Sequence, residues 1–183
     1  MNKVLKWSLI VIVGLVIIAF AFFQWMIYDT KKHSPEDTVT YTKGDLSLEV
    51  FYNRPSKKDR VIFGELVPYG QVWRTGANEA TTFETNKSIT IAGNQLPKGK
   101  YTLWTVPNES SWDVIFNSKM YDWGVNFDGT SIKEDNADVL TVSVPVEKLP
   151  SSTEQFTISI DEGAEGTRMS LEWDDVRVYV PIQ

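Results

Sequence analysis

The sequence predicts an all-β domain, an antiparallel β-sandwich or distorted barrel, preceded by one N-terminal transmembrane helix. Three observations lead there. Trp7 to Tyr28 is a run of 22 residues without a charge. After residue 35 no stretch keeps a 3.6-residue apolar period. In its place come short runs alternating at period two, punctuated by Gly and Pro, which is the pattern of a strand-built domain.

The apolar run comes first in the chain. At a rise of ~1.5 Å per residue it reaches ~33 Å, enough for a bilayer core. Lipid cannot satisfy backbone N–H and C=O groups, so a segment that enters it must be helical. Trp7 at one end and Trp25 and Tyr28 at the other suit the two interfaces. Lys3 and Lys6 in front, with Ala19 and Ala21 inside, also fit a cleaved signal peptide. Cleavage after Ala21 would leave the apolar stub Phe22 to Tyr28 on the mature chain, and signal cores are usually shorter than this one. The run is therefore read as an uncleaved signal anchor in the lipid bilayer. The short basic tail places the N-terminus in the cytoplasm and the C-terminal domain on the periplasmic or extracellular side. The predicted organisation is a tail over 1–6, a transmembrane helix over 7–28, a polar stalk over 29–37 and a β domain over 38–183.

The strands follow in order. Val39 to Thr42 and Leu46 to Tyr52 form a hairpin about Lys43-Gly44-Asp45, with Leu46, Leu48, Val50 and Tyr52 on one face. Thr81 to Glu84 and Ser88 to Ile91 come next, then a turn at Ala92 to Gln95 in which Gly93-Asn94 is expected to supply the positive φ. Lys100 to Val106, Trp112 to Phe116, Thr141 to Val146, Gln155 to Ile160, Met169 to Trp173 and Val176 to Val180 complete the set. Asp122 to Asp138 reads as a long acidic loop, and Asp174-Asp175 as a turn between the last two strands.

Composition narrows the chemistry. There is no cysteine, and the only histidine, His33, lies in the stalk. Ser-His-Asp and Cys-His nucleophilic machinery is thus unavailable to the domain, and so are histidine-ligated zinc sites. No Gly-rich phosphate loop is present, so no cofactor is expected. Both basic residues before the helix aside, the rest of the chain carries 16 basic and 24 acidic residues, a net −8 that argues against a nucleic-acid partner. Asn126-Phe127-Asp128-Gly129 with Asp135 faintly resembles a calcium loop. In that register, however, the last ligand position is Asp135 rather than Glu, and the expected reading is a solvated loop without metal.

One segment is unusual. Three of the five arginines, Arg54, Arg60 and Arg74, fall within 21 residues that also hold Tyr69 and Trp73, with Asn78 and Glu79 just beyond. Guanidinium forks hold carboxylates, phosphates or hydroxyls, and the aromatic rings could stack on a ligand. Arg54, Arg60, Tyr69, Trp73, Arg74, Asn78 and Glu79 are the candidate binding residues. A structural use is open for the same side chains, with Arg74 and Glu79 pinning a loop and Asn78 satisfying its backbone. A carboxylate-based hydrolase using Glu79 and Glu65 is the catalytic alternative; it needs two carboxyls ~5–9.5 Å apart.

Arg54-Pro55, Ile62-Phe63-Gly64, Leu66 to Gly70 and Trp73 to Thr81 together resemble DUF2911, a bacterial domain family of unknown function. The likeness continues through Leu96 to Tyr101, Trp112 to Asn117, Leu171 to Trp173 and Val180-Pro181. The resemblance implies an exported domain and brings no established activity or catalytic residue. The expected function is a membrane-anchored binding or accessory module for a small polar ligand, a saccharide or a peptide. A structural envelope protein that partners another envelope component is the bland alternative.

Overall fold

The computed structural model describes residues 2–126, 128–164 and 166–183. It divides into two units, one up to His33 and one from Ser34 to Gln183. The first is a single helix, α1, Lys3–His33. Its 31 residues have a mean hydropathy of 2.7 over the most apolar window, long and apolar enough to cross a membrane. The helix contains the whole uncharged run and continues through Asp29 to His33. The next element begins at Glu36. The residues expected as a stalk are thus divided between the end of a helix and the start of a strand.

Among the described residues the second unit has nine strands: β1 Glu36–Lys43, β2 Leu46–Asn53, β3 Thr82–Thr85, β4 Ile89–Ile91, β5 Asn94–Leu96, β6 Gly99–Pro107, β7 Ser111–Asn117, β8 Asp138–Gly163 and β9 Gly166–Ile182. They form one antiparallel sheet in the order β1-β2-β3-β6-β7-β8-β9-β4-β5 that does not close. The expected β1–β2 hairpin forms in register, Lys43 opposite Leu46, and Gly44 at φ +60 makes the turn. Leu48, Val50 and Tyr52 are buried, as the period-two pattern requires. The β4–β5 turn is built differently from expectation. Ile91 pairs with Asn94, so Ala92 and Gly93 are the central residues, at φ +45 and +82. A two-residue hairpin loop of that kind needs positive φ at both positions, and Ala92 bears the strain expected of glycine.

The four strands predicted between Thr141 and Val180 merge into two long ones. β8 pairs with β7 through its first part and with β9 through its second. Where Asp175 alone separates Val176 from Asp174 in β9, four residues separate their partners Lys148 and Thr153 in β8. Asp174 takes φ +54. The pair Asp174-Asp175 therefore lies inside β9, opposite a bulge in β8, rather than in a turn, and the ribbon bends there. The bend is sharp: the Arg168 guanidinium lies 4.0 Å from the centre of the Tyr179 ring. In a straight strand eleven residues would span ~36 Å.

This bend folds the sheet over, so that Leu48, Val50 and Tyr52 share one core with Phe156, Ile158, Met169, Leu171 and Trp173. The open side lies between the second part of β8 and the edge strand β1 with the residues that follow β2. There Ser56 bridges to Gln155, and the Phe156 N–H donates to Pro55 O at 3.0 Å. Further along, the Ile158 N–H donates to the Tyr52 hydroxyl at 3.0 Å. Unused edge groups of β8 thus find backbone or side-chain partners outside a regular strand pairing.

β6 is buried along most of its length, on both faces. Trp104 is fully buried on the face away from the main core, opposite Ile115 of β7. The loop between β7 and β8 covers it: the Tyr121 ring meets Trp104 edge-on at 5.3 Å. A side chain on Gly124 would come within 2.9 Å of the indole, so this crossing requires glycine. The loop carries one short helical turn, Asp135–Ala137.

Candidate functional site

The seven candidate residues separate into three environments. Arg54, at the end of β2, faces the open side of the sheet. Its Nε donates to Phe156 O at 3.3 Å, one Nη donates to Thr157 Oγ1 at 3.0 Å, and the other lies 3.3 Å from the Asp37 carboxylate. Arg60 is exposed and folds back on its own loop, donating to Lys57 O at 2.9 Å and Ser56 O at 2.5 Å. Both guanidinium groups satisfy backbone carbonyls in places where the chain leaves regular pairing. Lys57 in the same loop is ion-paired to Asp174, opposite the β8 bulge.

Trp73 is half-buried and packs against the core. Its indole stacks on Trp173 at 5.9 Å and meets Phe156 at 5.0 Å and Trp112 at 6.1 Å. Its Nε1 donates to Gly76 O at 3.0 Å, and its backbone exchanges two hydrogen bonds with Thr105 of β6. Tyr69 is exposed and sits over Gly64, where an added side chain would meet the ring at 3.1 Å.

Arg74, Asn78 and Glu79 come together at the end of β2. Asn53, the last residue of β2, is fully buried between them. Its Nδ2 donates to Glu79 Oε2 at 3.1 Å, and its Oδ1 accepts from Asn78 Nδ2 at 3.4 Å. Asn78 Nδ2 also reaches Ser34 O at 3.3 Å. Arg74 donates to Trp123 O at 3.1 Å, and the Ala80 N–H donates to Asp122 O at 3.2 Å. Burial holds the Arg74 guanidinium below its ordinary value, and the nearby Glu79 carboxylate partly offsets that effect.

The backbone here is strained. Thr75 and Asn78 sit at φ +58 and +52, a conformation uncommon for residues other than glycine. Gly76 crosses so close to β2 that a side chain would lie 2.9 Å from Asn53 O. Thr81 Oγ1 donates to Thr75 O at 2.7 Å, and Thr75 Oγ1 to Thr105 Oγ1 at 3.2 Å. The string Trp73 to Thr81 is thereby bonded to β2, to β6 and to the loop before β8. Asn53 follows buried Tyr52 directly, so both faces of β2 are covered at its end.

The other expectations can be placed. Glu65 is exposed at the turn held by the bonds Gly64 N–H to Val67 O and Val67 N–H to Ile62 O, away from the bonded group around Asn53. In the acidic loop Phe127 is outside the described residues. Asp128 accepts from the Thr130 N–H and hydroxyl at 3.0 and 2.6 Å, and Asp135 pairs with Lys133 at 2.7 Å. Among the described residues no group of three or more His, Asp or Glu is placed to hold a metal.

The family model described as a protein of unknown function, DUF2911, matches residues 34–182. The chain belongs to the DUF2911 family. That match covers the whole β unit and begins where the helix unit ends. No curated protein and no solved structure is detectably similar to the chain. Within the DUF2911 domain the string Trp73 to Thr81 joins β2, β6 and the loop before β8 through Gly76, Thr75, Asn78, Glu79 and Arg74.

Proposed function

We propose that this chain is a membrane-anchored binding or accessory module. In this reading α1 lies in a bilayer with its N-terminus in the cytoplasm, and the DUF2911 domain stands on the periplasmic or extracellular side. The domain recognises a small polar ligand, a saccharide or a peptide through Arg74, Glu79 and the amides of Asn53 and Asn78.

One observation carries the reading: the strain of Thr75 and Asn78, on either side of the close approach of Gly76, is concentrated around a half-buried guanidinium beside a carboxylate. Backbone strain of roughly 1–3 kcal/mol per residue persists where the surroundings over-determine it, and it gathers at sites that must be preorganised. A fixed fork of N–H donors next to an acceptor suits a ligand carrying both an acceptor and a donor. Arg54, Arg60 and Trp73 are better explained as supports, because their polar groups or rings are already engaged within the fold.

Thermal melting of the full-length protein in detergent, against a panel of sugars, short peptides and carboxylates, tests the site. A ligand of this site raises the melting temperature of the wild type and not of Arg74→Lys, since lysine keeps the charge and loses the fork. A shift that survives Arg74→Lys would place the ligand elsewhere. Protease added to spheroplasts tests the orientation: the domain is digested if it stands outside and survives if it does not.

A further inference from the structure

We infer that the loop tip formed by Val61, Leu66 and Tyr69 inserts into the surface of a lipid bilayer, so that the domain touches the membrane at a second point besides its helix. This rests on the reading of α1 as a membrane anchor. Val61 is 54%, Leu66 44% and Tyr69 37% exposed, the three large apolar side chains most open to solvent between residues 54 and 81. They are held on a rigid mount. The Leu66 N–H donates to Val61 O at 3.3 Å, the Val67 N–H to Ile62 O at 2.8 Å and the Gly64 N–H to Val67 O at 2.9 Å. Beneath them Ile62 is fully buried, and Phe63 packs on Trp112 at 5.0 Å. A mount this well fastened presents apolar groups at little further cost in chain entropy.

The occupant is argued from where the domain is attached. Its first residue, Ser34, accepts from Asn78, and Pro35 O accepts from the Arg54 N–H at 2.9 Å. Glu36 pairs with Asn53, so the domain begins at the end of the sheet where β2 stops and the excursion 54–81 starts. That excursion runs along the end of β6 at the same end, the Gly70 N–H donating to Pro107 O at 2.9 Å. The apolar tip and the attachment point therefore share one end of the domain. An aliphatic pair with a tyrosine is the combination that favours the lipid–water boundary.

Charge has little part in this contact. Lys58 and Arg60 flank the tip on one side of the balance, and Asp59 and Glu65 on the other. The contact is thus apolar, suits zwitterionic lipid and is insensitive to salt.

The chain has no cysteine, so a single introduced one can be spin-labelled without background. Full-length Leu66→Cys, Leu15→Cys and Thr42→Cys are labelled and reconstituted into phosphatidylcholine vesicles. Collision with oxygen reports lipid, and collision with a water-soluble nickel chelate reports solvent. Leu15 lies in the middle of α1, and Thr42 lies at the far end of the β1–β2 hairpin. The expected result is lipid-type accessibility at 15 and 66, water-type at 42, and no change at 66 in high salt. Lipid at 15 with water at 66 overturns the insertion and leaves the anchor standing. Water at 15 removes the anchor and this inference with it. Lipid at 42 as well as at 66 also overturns it, because the contact would then not be selective for the tip.

Discussion

The two ends of the arginine-rich segment use the same side chain in opposite ways. Around Arg54 and Arg60 the guanidinium groups serve the backbone, reaching Phe156 O, Lys57 O and Ser56 O where the chain has left regular pairing. Around Arg74 the backbone serves the side chains. Thr75 and Asn78 accept positive φ, and Gly76 passes close to Asn53 O, in a way that gathers Arg74, Glu79, Asn53 and Asn78. An arginine beside orphaned carbonyls is support for the fold. One held beside a carboxylate in a strained turn is a candidate for recognition. Sequence composition cannot separate the two, because the difference lies in what the fold leaves unsatisfied nearby.

The largest effect that would test this contrast is at Gly76. Gly76→Ala places a methyl group 2.9 Å from Asn53 O, in a backbone conformation that side chains rarely adopt. The expected cost is about 3 kcal/mol in chemical denaturation of the detergent-solubilised protein. A loss under about 1 kcal/mol, within the range of an ordinary substitution, would mean that the turn relaxes easily and stores little strain.

The pairing inside the turn comes next. Arg74→Ala strands Trp123 O and leaves the Glu79 carboxylate without its neighbouring cation, for an expected loss of about 2 kcal/mol. With Glu79→Gln as the second variant, the double mutant should be less damaging than the sum by about 1 kcal/mol. Strict additivity would show that the two side chains act independently and would dissolve the site as a unit.

Much of the fold was legible. Period-two alternation in Leu46 to Tyr52 and the turn chemistry of Gly44 give the hairpin, and the uncharged run lies wholly within α1. The merging of four short strands into β8 and β9 was not legible, because Asp174-Asp175 has the composition of a turn whether the chain reverses there or runs on opposite a bulge. The burial of Trp104 away from the core was hidden for a related reason. Its cover is supplied by a loop some twenty residues downstream, whose Gly124 has no local mark of a close approach. At the site, Trp73 to Thr81 stood out by composition, but the packing of Trp73 against the core and the place of Asn53 beside Asn78 and Glu79 did not. Both placements depend on contacts between residues distant in sequence, which period and propensity do not report.

At the open side of the sheet the contrast can be sharpened through Tyr52. Its hydroxyl accepts from the Ile158 N–H, and burial pushes its ionisation above the ordinary tyrosine value. Tyr52→Phe keeps the ring packed on Phe156 and leaves that N–H without a partner. The expected cost is about 1.5 kcal/mol, the penalty for an orphaned buried donor. A neutral result would show that water reaches the open side and that side-chain sealing of β8 is not needed.

The smallest expected effect is at Arg60, and it decides whether support by arginine depends on burial. Arg54 and Arg60 both donate to carbonyls, but the Arg54 side chain is only 28% exposed and also engages Thr157 and Asp37. Arg60 is exposed and binds only carbonyls of its own loop among the described contacts. When Arg54 is removed, Phe156 O and Thr157 lose partners in a place that solvent enters poorly, and the expected loss is about 1.5 kcal/mol. When Arg60 is removed, water can take its place at Ser56 O and Lys57 O, so Arg60→Ala should cost less than about 0.5 kcal/mol. The two variants measured side by side by denaturation give the comparison directly. Equal losses would mean that the loop 55–60 is as structurally committed as the β2–β8 boundary. The distinction drawn between sealing an open sheet and trimming a loop would then fail.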